Sequence, residues 1–352
     1  MTTFVMPIIV LGMLILLHEL GHFLVARSAG ILCREFSIGF GPSIYTWESG
    51  ETDFSLRLIP LGGYVLMAGE MGFDEEEDEE DSPFRPAEPG RNFTDKSVLT
   101  RMGVISAGPI TNLLTALVLF FVIYSIVGIP VPTLQIGEIE PGYPAQEAGF
   151  QRGDEIVMIE GQSVDEWGDV VEIVQINPHQ QLTFTVQRNQ QHIDIDVVPR
   201  EHPEREYGYI GMAPQTQSKR QPVGMAFANA FHWTGQVIFL LGATLWQMIT
   251  GATGTDQLMG VVGMGAEIGR AAEMGLANLL SLTGSISASL GFLNLLPIPA
   301  LDGSKLIFLG YEGITGHGID PDKESFINMI GFALLIGLFL YVTFQDVMRL
   351  TG

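Results

Sequence analysis

Basic residues are scarce in this chain: 17 lysines and arginines stand against 40 aspartates and glutamates over 352 residues, a formal net charge of −23. Such a balance repels a phosphate backbone, so nucleic-acid binding is excluded as a function class. Cysteine is scarcer still. Cys33 stands alone, so no intrachain disulfide forms, and a structural thiol is its expected role. Charged residues of both signs reach only 16%, whereas hydrophobic residues reach 47% and the mean hydropathy is +0.29. That is too apolar for an ordinary soluble enzyme and describes a membrane protein carrying a soluble insert. The apolar N-terminal run has no basic residue before it and no small-residue cleavage site after it, so it reads as a retained helix and not as a signal peptide. No internal repeat is evident.

What is present is a set of apolar runs separated by segments of different character. Residues 1–30 form the first expected transmembrane helix; the run from Phe4 to Ala26 is long enough at about 1.5 Å per residue to cross a hydrocarbon core of about 30 Å. Residues 31–73 alternate in short runs broken by glycine and proline and read as a membrane-associated β-hairpin region. Apolar non-helical backbone is tolerated at membrane depth only against protein or a wet cavity. Asp74 to Asp81 is an unbroken acidic run, and residues 74–97 read as a disordered, solvated loop. A second span is expected over 98–130, a third over 276–303 ending in Asp302-Gly303, and a fourth over 326–347. The stretch 221–275 reads as an interfacial or re-entrant helical segment, in which Val223 to Thr250 carries Asn229, His232 and Gln236 in an otherwise apolar sequence and Gly260 to Gly275 is glycine-rich and loop-like.

Residues 131–215 change character completely, with short β-type runs, turn dipeptides and charges throughout. The stretch from Ile136 through Val164, with Trp167 and Leu182-Thr-Phe-Thr-Val-Gln-Arg188 after it, resembles a PDZ domain. PDZ folds bind peptide C-termini by adding a strand beside a carboxylate-binding loop, and Gly208-Tyr-Ile-Gly211 is the candidate loop. The expected fold class is therefore a polytopic α-helical membrane protein of about four transmembrane helices, with the β-hairpin region and an inserted α+β PDZ domain.

The chemistry is concentrated in Leu17-His18-Glu19-Leu20-Gly21-His22, inside the first span. On a helix, His18 and His22 lie one turn apart on one face and can share a Zn²⁺, with Glu19 beside them as general base. Ionisable groups within a span are costly and point to function. A catalytic zinc takes three protein ligands and leaves one position open, so a third is needed. Asp302 ends the third span among prolines and glycines and is the only acid between Glu273 and Glu312. Ligands of one metal share one depth; parity delivers Asp302 beside the histidines only if Val223 to Thr250 does not cross. That stretch is thus expected to be interfacial or re-entrant. Arg27, Arg34, Lys96 and Arg101 outweigh Lys219 and Arg220 and put the site toward the cytoplasm. Small Gly108 permits close helix approach, and the amide of Asn112 needs a partner in an apolar setting. His179, His192, His202, His232 and His317 lack ligand spacing and read as surface or packing residues.

In order along the chain, His18-Glu-Leu-Gly-His22, Gly108-x-x-x-Asn112, the PDZ-like insert and Asn294-Leu-Leu-Pro-Ile-Pro-Ala-Leu-Asp302-Gly303 resemble the site-2 proteases, specifically the bacterial branch with one PDZ domain. The resemblance covers nearly the whole chain. It implies an intramembrane zinc metalloendopeptidase of the bacterial cytoplasmic membrane, with His18, His22 and Asp302 as ligands and Glu19 as base. It further implies that Asn294, Asn112, Gly108 and the β region serve substrate binding, and that the extracytoplasmic PDZ domain restricts access until another protease has trimmed the substrate. Implied substrates are single-span membrane proteins, an anti-sigma factor or a remnant signal peptide. Two rival readings are an inactive membrane scaffold presenting a PDZ domain, and a soluble zinc protease tethered by one helix. The second is disfavoured because the motif lies inside a span.

Overall fold

A computed structural model describes residues 2–70, 88–202, 205–254 and 258–351; the acidic run from Asp74 to Asp81 lies outside the described residues. The chain divides into two compact units, Met1–Ile126 with Pro222–Gly352, and Val127–Gln221.

The first unit opens with α1 (Thr2–Ser28), apolar except at its histidine-containing turns. Two long strands follow, β1 (Cys33–Ser49) and β2 (Thr52–Met67). They form one hairpin, not several short ones. It doubles back on itself: Phe36 is opposite both Phe54 and Val65, and Ser37 is opposite both Ser55 and Tyr64. One buried carboxylate ties the layers together. Glu35 accepts hydrogen bonds from Ser55, from Arg57 at 2.6 Å and from the Tyr64 hydroxyl at 2.8 Å. Burial raises the pKa of Glu35, but these three donors outweigh it and hold the carboxyl below its ordinary range. Cys33 is buried in the same layer, against Phe23, Phe36 and Val104 among others, and burial pushes its thiol up to about 12, as befits an inert structural thiol.

Helix α2 (Val98–Val122) starts where Ser97 Oγ accepts from the Thr100 amide at 3.3 Å, a side-chain cap for one of the unpaired N–H groups of the first turn. It ends in a π-helical turn at Ile123–Val127, and strand structure begins at Ile129, within the range expected to be the second span. After the second unit, α5 (Val223–Ile249), α6 (Val261–Glu273), α7 (Leu276–Leu295), α8 (Asp302–Thr315) and α9 (Pro321–Thr351) complete the first. Among the described residues, four helices are long and apolar enough to cross a membrane: Val5–Ser28, Val98–Val127, Leu276–Leu295 and Pro321–Arg349. The α5 helix is not one of them.

Residues 88–97, expected to belong to a disordered, solvated loop, are packed on the hairpin layer, with Phe93 buried beside Ile31 and Cys33 and its amide donating to the Ala68 carbonyl at 2.7 Å. Two helical elements also depart from the sequence reading. Gly260 to Gly275 is not loop-like: it contains α6, whose Ile268 is buried with Val10, Leu14 and Ile286 of α1 and α7. Its glycines allow close packing, since the Gly263 amide donates to the buried Asp346 carboxylate of α9 at 2.7 Å. Second, Asp302 does not simply end the third span. Six residues after Leu295 are non-helical, and Asp302 opens α8, a helix the composition of 303–315 did not announce. Charged pairs anchor it, Lys305 to Glu70 at 2.6 Å and Glu312 to Arg101 at 2.5 Å.

The second unit is an α+β fold holding β3 (Ile129–Ile139), α3 (Pro144–Ala148), β4 (Glu155–Ile159), β5 (Gln162–Ser163), α4 (Trp167–Ile176), β6 (Leu182–Arg188), β7 (Gln191–Val197), β8 (Arg200–His202), β9 (Arg205–Tyr209) and β10 (Met212–Lys219). The sheet order is β10-β3-β4-β6-β7, with β5 on β4 and a separate β8-β9 pair. Alternating residues of β6, Leu182, Phe184 and Val186, enter a core with Ile136, Ile156 and Val170, as a strand with one buried face requires. Asp154, 1% exposed, is met by Arg188 through Nε and Nη2 at 2.7 and 2.6 Å. A cavity of about 120 Å³ lies between α4 and residues 207–212, lined by Trp167, Val170, Val174 and Ile210 among others.

Candidate metal centre

The helical spacing within α1 puts His18 and His22 on one face, with Nε2 atoms 3.2 Å apart and rings edge to face at 4.8 Å between centroids. Both imidazoles are buried. Each has its other nitrogen engaged by α2: His22 Nδ1 donates to the Val104 carbonyl at 2.8 Å, and His18 Nδ1 lies 3.3 Å from the side-chain amide of Asn112. Helix α2 approaches this closely because of Gly108, where a Cβ would fall 2.8 Å from His18 Cε1 and nearer still to His22 Nε2. Any other residue there would occupy the space of the imidazoles.

Asp302 arrives from the first turn of α8. Its Oδ2 lies 3.1 Å from His18 Nε2 and 3.5 Å from His22 Nε2. The turn that delivers it is tightly folded. Ala300 adopts φ +72°, its amide donates to Asn328 of α9 at 3.2 Å, and a Cβ at Gly303 would collide with the Leu295 and Leu296 backbone. Leu296 to Leu301 is thus held between α7 and α9, and the carboxylate that follows it has little freedom.

Among the described residues, His18, His22 and Asp302 are the group whose ligand atoms are close enough to hold a metal, all within 4.8 Å of one another. A tetrahedral ion with bonds of about 2.0–2.1 Å spaces its ligand atoms about 3.3–3.4 Å apart. The three measured separations, 3.1, 3.2 and 3.5 Å, bracket that edge length. Asp302 Oδ2 is also buried without an aligned hydrogen-bond donor, which is costly for a carboxylate oxygen unless a cation takes the place of the donor. The donor set and its spacing fit a zinc ion.

Glu19 is half-buried beside this group, and its Cγ lies 3.8 Å from where a Cβ at Gly63 would stand, so β2 runs past the general-base candidate. Asn294 is half-buried in the last turn of α7, where its amide donates to the Leu290 carbonyl at 3.0 Å. Asn112 and Gly108 lie underneath the imidazoles. The Val104 carbonyl and Ser287, whose hydroxyl donates to the Asn112 carbonyl at 2.7 Å, escaped sequence reading; a backbone acceptor carries no sequence signal, and Ser287 looks like any small residue of a packed span.

A sequence model of peptidase family M50 matches residues 6–338. The chain belongs to peptidase family M50. This M50 peptidase is 33% identical to the zinc metalloprotease RasP of Geobacillus kaustophilus over 97% of each chain, and 32% identical to the regulator of sigma-W protease RasP of Bacillus subtilis over 97% of each. It is 35% identical to a putative zinc metalloprotease of Clostridium acetobutylicum, covering 97% of this chain and 96% of that one. The resemblance to site-2 proteases drawn from the motifs is thereby established at the level of the family.

Proposed function

We propose that this protein is a zinc-dependent intramembrane endopeptidase that cleaves single-span membrane proteins. The observation that carries the reading is the convergence of His18, His22 and Asp302 at tetrahedral spacing, with both histidines inside a helix apolar enough to cross a membrane. In this reading those three residues hold the ion and Glu19 is the general base. Zinc, when bound, supplies Lewis acidity toward a carbonyl and lowers the pKa of a water to about 7.

The chain's own groups do the rest. Glu19 takes a proton from the attacking water at its carboxylate and returns it to the leaving amide nitrogen. The substrate must be extended first, because a helical peptide bond is shielded by its own hydrogen bonds. The β2 strand near Gly63, beside Glu19, offers backbone groups to an extended segment, and Asn294 at the end of α7 is the candidate side chain for holding it. Three ligands leave the fourth position open, as catalytic zinc sites do and structural ones do not, so the scaffold reading is set aside.

The finer assignments are part of the same proposal. The second unit is a PDZ domain: β10 ends the sheet order, and the cavity between α4 and the Gly208–Gly211 segment lies where a peptide C-terminus would seat. Substrates are pre-trimmed by another protease, and an anti-sigma factor fits the role, since a relative is named for regulating sigma-W. Counting α5 (Val223–Ile249) as interfacial leaves the site toward the cytoplasm, where Arg27, Arg34, Lys96 and Arg101 lie, and the insert on the extracytoplasmic side.

The test is zinc content measured beside cleavage of a model single-span substrate. Glu19→Gln retains zinc and loses cleavage; His18→Ala and Asp302→Ala lose both. Cleavage surviving in Glu19→Gln, or full zinc content in Asp302→Ala, would overturn the assignment.

A further inference from the structure

Asn112 is 1% exposed, so it has no surface to offer a substrate, unlike the role the resemblance implied for it. It sits one helical turn after Gly108 on α2, and its backbone carbonyl is held by Ser287 of α7. Its side chain ends 3.3 Å from His18 Nδ1, and its Oδ1 is buried with no hydrogen-bond partner. The amide is thus aimed at the nitrogen of His18 that faces away from Asp302.

The partner imidazole shows what this nitrogen requires. His22 Nδ1 faces the Val104 carbonyl, which can only accept; Nδ1 therefore carries the proton and Nε2 keeps its lone pair. His18 Nε2 converges on the same Asp302 oxygen, and to bind the same ion it needs the same tautomer. The group facing His18 Nδ1 must then be an acceptor. The atom placed there is the amide nitrogen, which can only donate. The oxygen and nitrogen of an amide have the same shape, and their assignment follows from the hydrogen-bond network.

We propose that Asn112 is a positioning residue: with its amide turned so that Oδ1 accepts from His18 Nδ1–H, it holds the imidazole in the tautomer and orientation that leave Nε2 free for the metal. The two histidines are then oriented by different means, His22 by a backbone carbonyl and His18 by a side chain. Only the second can be altered by mutation without disturbing the helix.

The proposal rests on the zinc reading above, and the experiment separates the two. Full-length wild-type, Asn112→Asp and Asn112→Leu proteins in detergent are titrated with Zn²⁺ against a competing chelator, and the melting of each metal-free protein is recorded. Asn112→Leu keeps the side chain's size but removes the acceptor; its zinc affinity falls about 10–100-fold, with metal-free melting unchanged. Asn112→Asp restores the acceptor and binds zinc at least as tightly as wild type. Equal affinity in Asn112→Leu and wild type would overturn the proposal. So would an equal loss in Asn112→Asp and Asn112→Leu, which would mean that the nitrogen faces His18. A loss of zinc matched by a fall in metal-free melting in both variants would reduce Asn112 to a packing residue. Absence of zinc binding by the wild type would instead overturn the zinc reading itself.

Discussion

The positions of the three candidate ligand atoms depend on residues outside the candidate set. Gly108 is the sharpest case, because the two imidazoles occupy the space where its side chain would be. Gly108→Ala places a methyl against His22 Nε2 and His18 Cε1, and either the rings rotate away or α2 backs off from α1. Protein interiors are packed too densely for so small an addition to be absorbed locally. The variant is expected to fold, to lose zinc affinity by at least 10-fold and to lose cleavage in proportion, as measured by chelator competition and substrate cleavage. Wild-type zinc affinity in Gly108→Ala would show that the helices have room to spare. The spacing of His18, Glu19 and His22 was legible in the sequence because one helical turn brings them together whatever the rest of the chain does. The contacts of Gly108 and Asn112 were not, since each is made to a helix some 90 residues distant in the chain.

Elements in this protein are tied together by buried carboxylates. Glu35 clasps the folded hairpin, Asp154 accepts the Arg188 guanidinium in the second unit, and Asp346 accepts the Gly263 amide in the first turn of α6. The last of these has a clear consequence. Removing the acceptor leaves a part-buried N–H unpaired, at a cost of about 1 kcal/mol. In Asp346→Ala, amide hydrogen exchange is expected to accelerate at residues 261–264 while α7 remains protected; unchanged protection of α6 would mean that its packing on α1 suffices. Within the segment expected to be helical, the α6 stretch itself read as loop-like because its glycines imitate a loop. Glycine weakens an isolated helix by about 1 kcal/mol relative to alanine, yet here Gly260 and Gly263 let α6 approach the Asp346 carboxylate closely. Helix α8 was missed for a different reason: it is too short and too charged to read as a span, and the ion pairs that hold it join it to Glu70 and Arg101 of distant segments.

At the scale of the whole molecule, the second unit interrupts the first without dividing its helices. Its entering and leaving strands are neighbours, with Ile129 opposite Lys219 and Val131 opposite Gln217, so the chain leaves the insert close to where it entered. Replacing residues 127–221 by a short flexible linker is therefore expected to preserve zinc content. If the insert restricts access, the same variant cleaves an untrimmed single-span substrate faster than the full chain does. Unchanged cleavage of the untrimmed substrate would remove that role from the insert.

By itself the sequence determined the apolar spans, the β character of residues 31–73, the change of composition at the insert and the pairing of His18 with His22, because each depends on periodicity within one element or on composition. It also singled out Asp302, through the requirement that ligands share a depth. Only the tertiary structure decided how the carboxylate meets the imidazoles, through the turn at Ala300 that opens α8, and which groups stand behind each histidine. Those outcomes depend on how closely helices distant in sequence approach one another, and that distance is set by side-chain volume at the crossing point, which no periodicity within one helix records.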